Sequence, residues 1–512
     1  MLAKIYAAAL QGVNATIITI EVNCSKGIKF FLVGLPDVSI KESHERINSA
    51  LNVNGLKFPR NQIVINMAPA DIRKEGAAYD LPLAIGILAA SEKIKSDGIE
   101  DYMMMGELSL DGSLKAVRGI LPIAVKAKEA GFKGLILPKN NTREAAVVSG
   151  IKVYGAENII DVIRFFDEKK ELEQTIVDPG KEFYANQTLM DCDFSDVKGQ
   201  ENVKRAMEVA CAGAHNLLLI GSPGAGKSML AKRIPSILPP LTLSESLETT
   251  KIHSVAGKIN HNGSLIAIRP FRSPHHTIST VAMVGGGSYP QPGEISLSHN
   301  GVLFLDEIAE FGKNVLELLR QPLEDRKITI SRAKSSVEYP ASFMLVASMN
   351  PCPCGHYNNP SKVCVCLPQQ VQKYLNRLSG PLLDRIDIQI EIVPVPFEDI
   401  SDIRPTESSE SVRKRVIAAR KIQEERFTQE EGIYCNAQMN TRLLRKHAQP
   451  DKSGLTQLKN AMERLGLSAR AYDRILRVAR TIADLEGTEA VQSHHIGEAI
   501  SYRNLDRENW VG

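Results

Sequence analysis

Hydrophobic positions along this chain change period several times, and the changes mark out its elements. Ala15–Val22 and Gln62–Met67 are β-branched runs that predict strands. Ile40–Asn52, Leu81–Ser91 and Leu121–Ala130 predict helices, and Gly131–Pro138 a turn followed by a buried strand. Residues 1–170 therefore form an α+β or α/β domain. Residues 171–195 are acidic and irregular around Pro179-Gly180 and predict a linker. Val203, Met207 and Ala210 then fall on one helix face, and Asn216–Ile220, Val302–Leu305 and Phe343–Ser348 are apolar runs that predict buried strands. Glu324–Tyr339 reads as a hairpin with Arg332 and Lys334 at a basic tip. Polar Ser401–Glu410 predicts a second linker. Beyond it, Ser411–Phe427 and the stretch from Ser468 to Arg480 predict helices, the first amphipathic through Val412, Val416, Ile417 and Ile422, the second capped by Ser468. The expected partition is 1–170, 171–195, an α/β core over 196–395, and a helical region over 396–512.

The chemistry centres on Gly221-Ser222-Pro223-Gly224-Ala225-Gly226-Lys227-Ser228, which lies between the Asn216–Ile220 strand and helix-forming Met229–Arg233. Strand, glycine-rich turn and helix start are what a phosphate-binding loop requires. Its N–H groups and the helix N-terminus cradle phosphate, Lys227 reaches the β/γ-phosphates, and Ser228 ligates Mg²⁺. Val302–Leu305 delivers Asp306 and Glu307 to a strand tip, where Asp306 can hold Mg²⁺ and Glu307 can polarise an attacking water. Asn350, after the next strand, can orient that water. Arg385 is suited to transition-state charge on a neighbouring subunit's phosphate, and equally to an internal pair with Asp384 or Asp387. Cys352, Cys354, Cys364 and Cys366 crowd into fifteen residues and suit structural Zn²⁺, with His356 as a substitute ligand and free thiols or a disulfide as the plain alternative. His494-His495 reads as a surface pair.

Composition narrows the setting more than the activity. The 512 residues are 43% hydrophobic and 24% charged, with a net charge of +3 too small to imply a nucleic-acid partner. No apolar run approaches the roughly 20 residues of a membrane helix, and the N-terminus lacks a signal pattern, so a cytoplasmic location is expected.

Several strings carry a family likeness. The stretches 74–88 and 106–141 resemble the proteolytic domain of Lon-type proteases, but Ala78 and Ile123 stand where that family has its serine and lysine. The resemblance implies the fold and argues against peptidase activity. The stretches 269–279, 290–307, 350–355 and 379–387 resemble AAA+ ATPases of the magnesium-chelatase-like branch, close to its ComM/YifB type. That likeness implies ATP and Mg²⁺ as ligands, Asn350 as first sensor, Arg385 as trans-acting finger, and Arg470 as second sensor contacting the γ-phosphate, with Arg474 its competitor. It also implies a homohexamer that acts on DNA as a helicase promoting branch migration during transformation. In that branch the hairpin points into the ring's channel, where Arg332 and Lys334 can track phosphates; Arg269, Arg272, His275 and His276 raise the same question. A chelatase-type or protein-remodelling motor without DNA is the alternative, followed by a scaffold that only binds nucleotide.

Overall fold

The computed structural model describes residues 1–187, 192–259, 265–287, 290–332, 335–357, 359, 362–395 and 406–503, without the side chains of residues 182, 185, 186, 332 and 335. Two sheets with separate cores organise it. The first is mixed and seven-stranded, in the order Phe30–Val33, Gln62–Ala68, Asn14–Ser25, Leu2–Gln11, Tyr102–Met104, Gly134–Pro138, Lys152–Ala156. Its centre is a long antiparallel hairpin, paired from Leu2↔Asn23 to Gln11↔Asn14. Leu2–Gln11 escaped the sequence reading because its inward positions include Ala3, Ala7 and Ala9, small residues with weak strand preference. Helix Asp80–Ala90 is buried along its whole length, so it has no polar face to betray its period.

The expected linker is more structured than its composition suggests. Thr175 N donates to Val153 O and Gly155 N to Glu173 O, extending the sheet edge. Asp178 then caps a helix, Pro179–Asn186, whose Phe183 is buried with Leu241 and Ala267.

The second sheet is five-stranded and parallel throughout. Its order is Phe271–Arg272, Val302–Leu305, Met344–Met349, Leu217–Gly221, Ile388–Ile392. Leu217–Gly221, Val302–Leu305 and Met344–Met349 are buried at every position, as strands covered on both faces must be. Against this core packs a helical C-terminal region: Ser409–Phe427, Thr441–His447, Lys452–Leu465, Ala469–Leu485 and Ser493–Ser501. The first of these starts at Ser409, inside the stretch expected to be linker. No helix among the described residues is long and apolar enough to cross a membrane.

The C-terminal region is pinned to the edge of the sheet where the strands begin. Asp387, just before the Ile388–Ile392 strand, is buried and accepts from Arg474 Nη1 at 2.7 Å and from Asn216 N at 3.1 Å. Burial pushes this carboxyl up, but Arg474 and then His215 outweigh it and hold Asp387 well below the usual carboxylate range. A depressed carboxyl stabilises the fold above the unfolded-chain pKa of about 3.9, and that contribution is lost as pH falls below it. Asp387→Asn strands the Arg474 guanidinium, so it is expected to cost about 3–5 kcal/mol in a denaturant titration at neutral pH. The gap to wild type should shrink at acid pH. A variant as stable as wild type at pH 7 would contradict this.

The two halves also touch. Gly119 N donates to Ser254 O at 3.1 Å, and the Ser254 hydroxyl donates to buried Glu144. The turn after Leu2–Gln11 presses on the pre-sensor hairpin: a Cβ on Gly12 would lie 2.7 Å from Val337 Cγ1.

Candidate nucleotide-hydrolysis site

The Leu217–Gly221 strand runs into the glycine-rich loop, and helix Lys227–Ala231 leaves it. Gly226 caps that helix at φ +90°, a left-handed conformation that a side chain would strain. Gly221 packs against the neighbouring strand, where a Cβ would stand 2.7 Å from Ile392 O. Lys227 is buried, and its Nζ donates to Gly221 O at 2.6 Å, Ser222 O at 3.0 Å and Asn350 Oδ1 at 3.0 Å. Burial lowers its pKa, while Asp306 and Glu307 nearby oppose that shift.

The three strand tips converge as the spacing predicts. Ser228 Oγ donates to Asp306 Oδ2 at 2.7 Å, so two hard oxygen ligands meet beside the loop, a donor set that suits Mg²⁺. Glu307 is exposed and sits at φ +52°, a strained backbone of the kind that collects at functional sites. Its N–H donates to Ser348 Oγ at 3.0 Å, and the Ser348 hydroxyl in turn donates to Asp306 Oδ1. Ser348 thus orients both carboxylate residues. It passed unremarked in the sequence because it lies within an apolar strand; its polarity in a fully buried run was the available signal.

The cysteines close up just after Asn350 in the chain. Cys352 Sγ lies 3.3 Å from Cys354 Sγ and 3.7 Å from Cys364 Sγ, and Cys354 lies 3.6 Å from Cys364. All four sulfurs, Cys366 included, fall within 4.8 Å of one another, without His356. A disulfide needs about 2.05 Å, whereas tetrahedral Zn–S bonds of about 2.3 Å put sulfurs about 3.8 Å apart. The spacing fits a metal. Gly355, in this knuckle, lies against the phosphate loop: a Cβ there would be 2.4 Å from Pro223 Cδ.

Arg385 and Arg470 do not join this cluster. Arg385 pairs with Glu324 and its Nη1 donates to Pro381 O, while its buried Nε finds no hydrogen-bond partner among the described residues. Arg470 is 66% exposed and donates to Asp384 at 3.0 Å. Both therefore lie where strands begin, beside Asn216, whereas the loop lies where they end. Five residues of strand separate Asn216 from Gly221, roughly 16 Å at about 3.3 Å per residue. Direct contact of Arg470 with its own chain's loop, the expectation from the lid, meets this obstacle. Arg474, its competitor, is committed to buried Asp387.

Other basic residues resolve differently. Arg269 forms a bidentate pair with Glu245 and donates to Pro239 O and Asn300 O, and Arg272 pairs with Glu294. Both are internal ties rather than free cations, a correction to the nucleic-acid question raised for them. His275 is exposed and stacks near His276. Strands Lys327–Arg332 and Ser335–Pro340 form the expected hairpin; Lys334 and the Arg332 side chain lie outside the described residues. His495 is buried, contrary to its reading as a surface residue. Its Nδ1 accepts from Gln492 N, so Nε2 carries the proton shared with Glu486, which leaves no lone pair for a metal.

A parallel sheet whose chain-order strands lie 2-3-4-1-5, with the glycine-rich loop after strand 1, acidic residues after strand 3 and a helical C-terminal region, defines a P-loop AAA+ fold. Residues 193–400 match the family described as Magnesium chelatase, subunit ChlI. Residues 20–141 match Subunit ChlI of Mg-chelatase, and 406–503 match its C-terminal family. Competence protein ComM of Haemophilus influenzae is 43% identical over 99% of this chain and 98% of its own length. YifB of Escherichia coli is also 43% identical, over the same shares. Lon protease 2 of Bacillus subtilis is 31% identical over 124 residues, 24% of this chain and 22% of that protein. The chain belongs to the ComM/YifB family of magnesium-chelatase-like AAA+ proteins. Ile123, at the Lon lysine position, is a buried core residue, and Ala78 supplies no nucleophile.

Proposed function

We propose that this protein is an ATP-driven ring motor, a homohexamer that acts on DNA in the cytoplasm as a helicase promoting branch migration during recombination and natural transformation. The observation that carries the ring is the polarity of the sheet: Lys227 and Glu307 lie at one edge, Arg385 and Arg470 at the other. Head-to-tail packing of copies brings the two edges together, and such an interface generates a ring when its rotation closes. In that arrangement the loop from Gly221 to Ser228 holds the triphosphate and Lys227 leaves its carbonyl partners for phosphate oxygens. Ser228 and Asp306 would hold Mg²⁺, which would supply charge neutralisation at the phosphates. Glu307 is the general base and Asn350, hydrogen-bonded to Lys227, positions the water. Arg385 and Arg470 both serve the neighbour's nucleotide.

The DNA role rests on kinship with a protein named for competence. The test is ATP turnover with and without branched DNA across a salt series. Stimulation that falls steeply with salt is expected from phosphate contacts. A rate indifferent to every DNA form would overturn the DNA reading and favour a chelatase-type or remodelling motor, the use to which the ChlI match also points.

The cysteine knuckle is assigned structural Zn²⁺. Metal analysis is expected to find one zinc per chain, lost in Cys364→Ser. Because Gly355 abuts Pro223, that variant should also bind ATP more weakly, by about tenfold on the scale of outer-sphere effects at metal sites. Zinc-free protein with unchanged nucleotide affinity would contradict both statements.

A further inference from the structure

A second cavity lies on the edge of the parallel sheet away from the phosphate loop, walled by the core on one side and the C-terminal helices on the other. Its volume is about 790 Å³, within the range of sites for small molecules. Its carboxylates are mostly spoken for: Glu245 by Arg269, Asp387 by Arg474, Glu324 by Arg385 and Glu248 by His299, while Glu424 is exposed.

Three lining guanidiniums form no direct ion pair with a carboxylate among the described residues. Arg420 donates to Ala212 O and Cys211 O, the last carbonyls of helix Glu201–Gly213. Arg477 donates to Met439 O at 2.9 Å, and Arg326 to Gly432 O at 2.6 Å. Carbonyls satisfy their hydrogen bonds but carry only partial charge, so Arg326 and Arg420 stay largely uncompensated, while Asp387 and Asp473 partly offset Arg477. All three line the one cavity, together with the buried Cys435 thiol. Burial, then Arg474, push Arg477 down to about 10 while Asp387 and Asp473 oppose the shift, and it is still charged at neutral pH. Arg326 itself is held at φ +54°, at the base of the pre-sensor hairpin. Tyr434 and half-buried Phe343 line the same cavity and offer aromatic faces.

We infer that this cavity binds a nucleoside phosphate at a site separate from the phosphate loop, its phosphates on Arg326, Arg420 and Arg477 and its base against Tyr434 or Phe343. Forked, permanently charged donors suit phosphate oxygens, and aromatic faces suit any base. The site draws on no residue of the hydrolytic cluster, so it stands whether or not Lys227 and Glu307 perform turnover. A ligand there would bridge the core to the C-terminal helices and touch the foot of the hairpin.

Equilibrium dialysis of the full chain against labelled ADP tests this. Wild type is expected to bind two ADP per chain. Lys227→Ala should keep one, and the double variant Arg420→Gln/Arg477→Gln should lose the second site by tenfold or more while keeping the first. One ADP per wild-type chain, or two retained in the double variant, would overturn the inference. Should the double variant fail to fold, melting of Lys227→Ala decides: a rise in Tm with millimolar ADP supports the site, and no rise refutes it. Binding of a single-stranded oligonucleotide to Lys227→Ala in the absence of any ADP binding would refute it in favour of a strand.

Discussion

Glu307→Gln should bind ATP with the affinity of the parent and turn it over about 10²–10⁴ times more slowly, the usual contribution of a general base. The amide keeps the size of the side chain and cannot accept the water's proton. Binding should survive because Glu307 makes no hydrogen bond to Lys227 or to the loop among the described residues; its backbone is fixed through Ser348 instead. Turnover within about tenfold of wild type would remove Glu307 from the chemistry. Loss of binding would instead show that it shapes the site. Lys227→Ala is the natural contrast, since its Nζ is tied to the loop itself.

Arg385→Ala should lower turnover by about 10³–10⁵-fold, the range for an arginine that stabilises phosphoryl-transfer charge. The mixing experiment is more telling than the single variant. Lys227→Ala and Arg385→Ala proteins are each expected to be inactive alone. Combined in equal amounts, one partner supplies an intact loop and the other an intact arginine at about a quarter of random interfaces, so activity returns. If Arg385 served its own chain, mixing would restore nothing. The roughly 16 Å of strand between the two edges argues for the former. The Glu324 pair holds Arg385 meanwhile, and its buried Nε has no hydrogen-bond partner among the described residues.

How much of this was legible depended on whether the information is local. The loop, Asp306 and Glu307 were readable because a strand and the turn after it are contiguous in sequence, and both signals fall within about ten residues. The three central core strands, Leu217–Gly221, Val302–Leu305 and Met344–Met349, read well for the same reason: two-sided burial writes itself as an unbroken apolar run. The edge strands Phe271–Arg272 and Ile388–Ile392, short or interrupted by polar residues, carry no such run and went unpredicted. Which edge of the sheet holds Arg470 is a property of the whole topology. A helix 86 residues beyond Asp384 carries no mark of where it will dock. Likewise Arg269 looks like any basic surface residue until Glu245 and three carbonyls close around it. The Leu2–Gln11 strand was hidden by alanine. His495 was misread because burial of a polar ring depends on its partners, here Gln492 and Glu486, whose geometry the sequence does not state.

The contact between Gly12 and Val337 and the ties from Gly119 and Glu144 to Ser254 have a mechanical consequence. The Lon-like domain touches the hairpin strand Ser335–Pro340 at one point and the core's long helix Leu243–Val255 at another, so in the proposed motor it would serve as a stator for the hairpin. A chain trimmed to start after residue 192 would keep its chemistry yet run with backlash, spending part of each stroke on slack.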